Sequence, residues 1–266
     1  MKRVVTAAVL IPLVLLILLK GSYLMLVAAT GLVAALAAWE YSSIANSHGS
    51  QIPRALLLIG IVLLFATIFR SPSLILPALG FSSLALLIVC SFRSPLERVL
   101  PDTAFSVFGL IYCGLTLACV PLAWARPGGP SQVVFLLCIV WTGDVAALYV
   151  GRSFGRHKLA PRISPQKSWE GSAASLAGSL LIATVLAVFL HYPGALASWL
   201  ALAVVLNVFA QVGDLVESAM KRGAGVKDSG ALLPGHGGIL DRIDALLLAA
   251  PALWYAQWIQ QCFKVG

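Results

Sequence analysis

Charge is what this 266-residue sequence has least of. Asp, Glu, Lys and Arg together make up 11% of it, while 60% is hydrophobic. A soluble domain carries about 25% charged residues, so a surface built from this chain would not be polar enough for water. That excludes a soluble enzyme, a disordered protein and a nucleic-acid-binding arm. The formal net charge of +8 is therefore not read as a nucleic-acid footprint, and no nucleic-acid partner is expected. Cysteine is sparse too. Cys90, Cys113, Cys119, Cys138 and Cys262 fall in or near apolar runs, which suits small core hydrophobes and not a disulfide framework. Soluble-type nucleotide motifs are missing: there is no G-x-x-x-x-G-K-[ST] and no G-x-G-x-x-G after a strand. The four His are scattered without zinc-ligand spacing. No internal repeat is evident, and no polar stretch long enough for a soluble domain interrupts the chain.

What is abundant is apolar runs. A membrane-spanning helix needs about 20 predominantly apolar residues. Nine candidates lie near 4–19, 23–41, 54–70, 73–91, 104–124, 132–150, 172–190, 196–213 and 239–257, with Pro and Gly breakers between most of them. The expected fold is an all-α integral membrane protein of about nine transmembrane helices. The first segment follows Met1-Lys2-Arg3, as a signal peptide would. It runs into Lys20-Gly21-Ser22 with no small-x-small cleavage site, so a retained helix is expected. With the N-terminus cytoplasmic, fourteen of the 18 Lys and Arg fall on the cytoplasmic side. Only Lys20, Arg70, Arg126 and Lys264 fall on the other. This asymmetry follows the positive-inside tendency and puts the C-terminus outside.

The acidic residues divide the chain. Residues 1–131 hold Glu40, Glu97 and Asp102, whereas residues 132–266 hold Asp144, Glu170, Asp214, Glu217, Asp228, Asp241 and Asp244. The expected organisation is an N-terminal scaffold of transmembrane helices over 1–131 and a C-terminal catalytic region over 132–266 with a cytoplasmic-facing site. An ionisable residue inside a span is costly and marks function by default. Asp144, in Trp141-Thr142-Gly143-Asp144, lies about six residues inside its span, or about 9 Å at 1.5 Å per residue. The alternative is a structural cap or a pair with a loop Arg.

Asp214 ends the eighth span and Asp241 and Asp244 open the ninth. A spacing of three puts Asp241 and Asp244 on one helical face, and two carboxylates that close repel unless a positive group intervenes. Antiparallel spans eight and nine bring Asp214 to the same membrane face. Three hard oxygen donors at a membrane boundary suit Mg²⁺, which prefers carboxylates, water and phosphate oxygens. A salt-bridge network with Arg222, Lys227 or Arg242 stays open as the alternative.

Basic residues surround these acids. Residues 151–171 hold five Lys and Arg and one acid, including Lys167 between Ser164 and Ser168. Residues 215–238 hold Lys221, Arg222 and Lys227, then Pro234-Gly235-His236-Gly237-Gly238. The glycines allow backbone amides to approach an anion, and Lys suits phosphate as a point charge. Cations, glycines and carboxylates together describe a site for a metal-chelated polyphosphate, although basic loops beside a bilayer also hold anionic lipid. His236 suits a proton carrier or phosphate donor, or equally a loop role.

The run from Ser218 through Lys221-Arg222, Lys227-Asp228, Pro234-Gly235-His236-Gly237-Gly238 and Asp241-Arg242 to Asp244 resembles the signature of the phosphatidate cytidylyltransferase (CDP-diacylglycerol synthase) family, with about a dozen fixed positions over 27 residues. Ile163-Ser164-Pro165 and Trp169-Glu170-Gly171 resemble it too. Gln166-Lys167-Ser168 stands where the family more often has Lys-Lys-Thr, which puts a role for position 166 in doubt but not one for Lys167. The resemblance is strong over 132–257. Before 132, Glu40-Tyr41 is a weak echo.

The resemblance implies transfer of CMP from CTP to phosphatidic acid, giving CDP-diacylglycerol and pyrophosphate, in a bacterial cytoplasmic (inner) membrane with the site facing the cytoplasm. It implies Mg²⁺ on Asp214, Asp241 and Asp244, with room for K⁺ as a further ion, and a homodimer as a common state. Asp214, Asp241, Asp244, Lys227 and His236 would be catalytic. Asp144, Ser164, Lys167, Ser218, Lys221, Arg222, Asp228, Gly237, Gly238 and Arg242 would bind substrate. A CDP-archaeol synthase or polyprenol kinase is the nearest rival. A transporter would place charges near the midplane in repeated halves, and this sequence does neither.

Overall fold

The computed structural model describes residues 12–189, 192, 194–230, 232 and 237–264. Among them residues 12–20 are helical, followed by α1 (Tyr23–Ser47), α2 (Arg54–Arg70), α3 (Ile75–Arg93), α4 (Val99–Gly109), a π-helical stretch Leu110–Leu115 and α5 (Thr116–Trp124). Then come α6 (Gly129–Phe154), strands β1 (Lys158–Ala160) and β2 (Ser164–Ser168), and helices α7 (Trp169–Phe189), α8 (Leu196–Gly223) and α9 (Leu240–Lys264). Every candidate span from 23 onwards coincides with helix. Of the first candidate, 4–19, only residues from 12 are described.

Among the described residues, six helical segments are long and apolar enough to cross a bilayer: Tyr23–Ser47, Pro72–Arg93, Leu96–Trp124, Gly129–Phe154, Trp169–Phe189 and Leu196–Gly223. The α2 helix is 17 residues long, and α9 carries Gln257, Gln260 and Gln261 in its second half. The all-α expectation needs one correction. Residues 151–171 are not a plain loop: α6 continues to Phe154, and an antiparallel hairpin follows, with Lys158 opposite Ser168 and Ala160 opposite Ser164.

Contacts divide the chain into two compact units, Met1–Ala125 with Met220–Ile243, and Arg126–Ala219 with Asp244–Gly266. They interleave in sequence, whereas the expected division at 131/132 followed composition. In the first unit, Ser22 caps α1 by accepting from the Met25 amide at 3.3 Å. Leu57, Ile61, Leu86, Leu110 and Leu117 form a sealed core. Asp102 is fully buried and satisfied, accepting from the Gln51 amide at 2.9 Å and Ser94 Oγ at 2.6 Å.

In the second unit, Gly128 (φ +72°) turns the chain into α6 with Pro130 in the first turn, where its missing N–H costs nothing. The α6–α7 packing is close because glycines line it: a Cβ on Gly178 would sit 3.0 Å from the Ala146 Cβ. A polar seam runs through this otherwise apolar bundle. Asn207 donates to Ser175 Oγ (2.8 Å) and Ser179 Oγ (2.9 Å), and Gln211 donates to Asn207 Oδ1 (2.6 Å) and pairs with Ser172. In hydrocarbon such groups must find partners within the protein, and here they tie α7 to α8.

Candidate functional site

The second unit holds a cavity of about 280 Å³. Three elements build its polar wall. Asp144 projects from the C-terminal half of α6, Lys167 from β2 and Asp214 from α8, and Arg152, Ser164 and Gln211 complete the rim. The hairpin is what delivers Lys167. It is anchored at its base by Trp169 N donating to the His157 carbonyl at 2.9 Å and by the His157–Glu170 pair at 2.7 Å. Gly155 ends α6 tightly, since a Cβ there would lie 2.6 Å from Ser168 Oγ. Lys167 Nζ reaches Asp214 Oδ2 at 2.5 Å. Ser218, one turn further along α8, is 3.5 Å from Asp214 Oδ1.

Asp244, in the first turns of α9, lies within electrostatic reach of Asp214, Glu217 and Asp144. Gly213 makes this approach feasible, because its Cα packs against the Asp244 carbonyl and a Cβ would stand 2.6 Å from that oxygen. Asp144 and Asp214 thus stand with Lys167 at the cavity, and Asp244 and Glu217 lie within electrostatic reach of those carboxylates. Like charges at such spacing need a counter-charge, and hard carboxylate oxygens are the donor chemistry Mg²⁺ takes. Among the described residues no three His, Cys, Asp or Glu side chains converge at ligating distance, so water or phosphate oxygens would have to complete a coordination shell. The donor set fits Mg²⁺ on chemistry.

The first unit holds the other group. Asp241, in the first turn of α9, accepts from Lys221 Nζ (2.5 Å), from the Ser229 amide (3.1 Å) and from the Gly238 amide (2.8 Å). Lys221 is thus a cation paired with it. Gly237 has φ +77° and a Cβ there would meet Asp241 Oδ2 at 2.7 Å, so both the turn and the close approach require glycine. The Ser229 and Gly238 amides are occupied by the Asp241 carboxylate. Arg222 donates to the Val226 carbonyl (3.4 Å), and Lys227, Asp228 and Arg242 are exposed. His236, with Pro234 and Gly235, lies outside the described residues.

Of the expected site residues, Asp144, Ser164, Lys167 and Asp214 meet around the cavity, with Asp244 and Ser218 beside them. Lys221, Asp241, Gly237 and Gly238 meet around the loop. Sequence reasoning missed three polar groups. Glu217 is buried on α8 three residues after Asp214, a helical spacing that could have signalled it. Gln211 lies on the same face three residues before Asp214. Glu40 sits in an apolar run and gave only its charge and, with Tyr41, a weak echo of the family.

Comparisons with known proteins add the family. A family model described as the cytidylyltransferase family matches residues 1–259. The phosphatidate cytidylyltransferase of Brucella suis biovar 1 (strain 1330) is 46% identical over 153 residues, covering 55% of this chain and 54% of that protein. The phosphatidate cytidylyltransferase of Staphylococcus saprophyticus is 40% identical over 172 residues, 63% of this chain and 66% of that one. That of Staphylococcus aureus (strain COL) is 32% identical over 256 residues, 94% and 96% of the two chains. The match thus spans about half the length of the Brucella relative and nearly all of the S. aureus one.

Proposed function

Because the chain belongs to the cytidylyltransferase family, we propose that it transfers CMP from CTP to phosphatidic acid, yielding CDP-diacylglycerol and pyrophosphate for phospholipid synthesis. The observation that carries this reading is the cavity at the end of α6, where Lys167 and Asp214 pair beside Asp144 and Arg152. It offers cations for phosphate and carboxylates for a metal at one polar site in an apolar chain. A phosphate-monoester oxygen of phosphatidate attacks the α-phosphorus of CTP. The bond from that phosphorus to the bridging oxygen breaks, and pyrophosphate leaves. The nucleophile is already ionised at neutral pH, so the obstacle is repulsion between two anions and not proton removal.

Lys167, Arg152, Lys221, Arg222 and Lys227 offset that repulsion and orient the phosphates, as electrostatic stabilisation in phosphoryl transfer requires. Ser164, Ser218, Asp228 and the Gly237–Gly238 turn contribute substrate contacts, and His236 donates to phosphate. Asp214 and Asp244 are the residues that would hold Mg²⁺, on the donor chemistry of the site, while Asp241, which its spacing in sequence groups with them, serves the loop through Lys221 and the Ser229 and Gly238 amides. The ion would supply charge neutralisation on the triphosphate, with K⁺ as a second ion. Keeping the lipid tails in the bilayer requires a site at the membrane boundary.

The topology that goes with this reading is nine spans in a bacterial cytoplasmic membrane, N-terminus and active site cytoplasmic, with the enzyme a homodimer. Reporter fusions at each loop test the topology; a reporter active outside at residues 151–171 contradicts it. Light scattering of the purified protein tests the dimer, and a monomeric mass contradicts it. The activity itself is tested by supplying purified protein with labelled CTP and phosphatidate, with and without Mg²⁺. Label in CDP-diacylglycerol only with Mg²⁺ is the expected result; transfer undiminished by chelation would remove the metal from the account.

A further inference from the structure

The first unit contains a buried carboxylate that the proposed chemistry does not use. Glu40 lies on α1, seven residues before its end, and is 2% exposed. Among the described residues it pairs with no surface cation. Its two oxygens accept from three neutral donors: the Ile239 amide on Oε1 at 3.0 Å, and the Leu240 amide and Ser229 Oγ on Oε2 at 2.8 and 3.0 Å. Ser229 in turn accepts from the Asp241 amide at 3.3 Å, and its own amide donates to the Asp241 carboxylate. Glu40 therefore touches both sides of the turn between α8 and α9, and one hydroxyl links it to Asp241.

Two independent features show that the turn is shaped around this carboxylate. A Cβ on Gly230 would stand 2.6 Å from Glu40 Oε1, and a Cβ on Gly238 would collide with both Glu40 Oε2 and Ser229 Oγ. Neither glycine has a positive φ, so these positions need the missing side chain and not an unusual backbone. The second feature is electrostatic. The Ile239 and Leu240 amides are among the unpaired donors that open α9, a 25-residue helix. Such an end favours a negative charge, and bonds from N–H to an ionised acceptor are stronger than neutral ones.

We propose that Glu40 is a positioning residue of the transfer site: it ties Ser229, Ile239 and Leu240 to α1 and thereby holds Asp241, and the Lys221 paired with it, in working geometry. The proposal rests on the transfer reading for its kinetic part but not for its structural part. A glutamine at this position keeps the shape and loses the function. Its NH₂ group would face a backbone N–H or a hydroxyl that now donates to an oxygen, leaving two donors opposed.

The test compares wild type with Glu40→Gln and Glu40→Asp, and with Glu97→Gln as an exposed carboxylate control in the same unit. Two readouts are taken on full-length purified protein. The first needs no substrate: the rate of tryptic cleavage after Lys227, alongside the thermal unfolding temperature. Glu40→Gln should raise that rate about 10-fold or more, with cleavage elsewhere and the unfolding temperature near wild type. Glu40→Asp, which keeps the charge with a shorter reach, should lie between, and Glu97→Gln should match wild type.

The second readout is CMP transfer. Glu40→Gln should lose at least 100-fold in kcat with KM for CTP changed less than about threefold, and Glu40→Asp should recover part of it. Wild-type cleavage in Glu40→Gln overturns the clamp. Faster cleavage with unchanged kcat overturns the positioning role. If Glu40→Gln does not accumulate, Ser229→Ala removes the hydroxyl link alone and should show both effects in weaker form; wild-type values for it overturn the proposal. A wild type that transfers no CMP would defeat the activity reading while leaving the clamp to be judged by cleavage.

Discussion

The two compact units use the same residue types for opposite ends. In the first, Asp241 and Lys221 are paired with side-chain exposures of 10% and 12%, and in the second Asp214 and Lys167 are paired with 35% and 24%. The sealed pair has backbone amides filling the remaining acceptor sites of its carboxylate, and Glu40 beside it is satisfied in the same way. The open pair borders a cavity, with Asp144 exposed in it and further carboxylates within reach. A carboxylate whose lone pairs are spent on amides organises a loop. One that keeps free acceptor sites at a cavity, among other carboxylates, is available to a metal or a substrate's counter-ion. An Asp–Lys motif read from sequence does not distinguish these roles; the local hydrogen bonding does.

Substitutions can break or sharpen that contrast. The largest effect is expected at the open group. Asp214→Asn or Asp244→Asn should lower CMP transfer by about 10³-fold or more while the protein still inserts and elutes normally; near-wild-type rates from both in detergent with CTP, Mg²⁺ and phosphatidate would remove the metal assignment. Asp241→Asn should abolish transfer as well, but it should also speed tryptic cleavage after Lys227, which the open-group variants should not. Next is Lys167→Ala, expected to cost about 10²-fold, mostly in KM for CTP, with partial recovery in Lys167→Arg. Equal loss in the arginine variant would mean that the hairpin's shape, and not its charge, is what Lys167 contributes.

Gly238→Ala acts on the sealed group. Overpacking against Glu40 and Ser229 should cost about 1–3 kcal/mol, read as a lower unfolding temperature, whereas Gly80→Ala, where a Cβ meets nothing within 4 Å, should be neutral. The smallest effect is expected in the seam. Asn207→Leu should lose about 1 kcal/mol of stability and leave Mg²⁺ dependence unchanged. A change in that dependence would tie the seam to the cavity chemistry.

Much of this is legible in the sequence. The apolar runs from residue 23 onwards fell on helices because a bilayer-length run of Leu, Val, Ile and Ala has one low-energy solution in hydrocarbon. Asp144, Lys167 and Asp214 stood out because charge is rare in such a chain. The 158–168 hairpin was not legible: it is short, carries Pro161 and Pro165, and has no alternation of apolar and polar residues to signal a strand. Glu40 could not be read either, since Ser229 and the amides of Ile239 and Leu240 lie some 190–200 positions away. Nor did spacing alone separate the roles of Asp241 and Asp244, three residues apart on one helix.

The central claim is that the open carboxylates around the α6 cavity run cytidylyl transfer. It meets its most direct test in α-phosphate-labelled CTP supplied with phosphatidate and Mg²⁺ to purified wild type and to purified Asp214→Asn. Label should appear in CDP-diacylglycerol from the wild type and essentially not at all from the variant. Equal labelling by the two proteins, or no labelled lipid from the wild type, would contradict it.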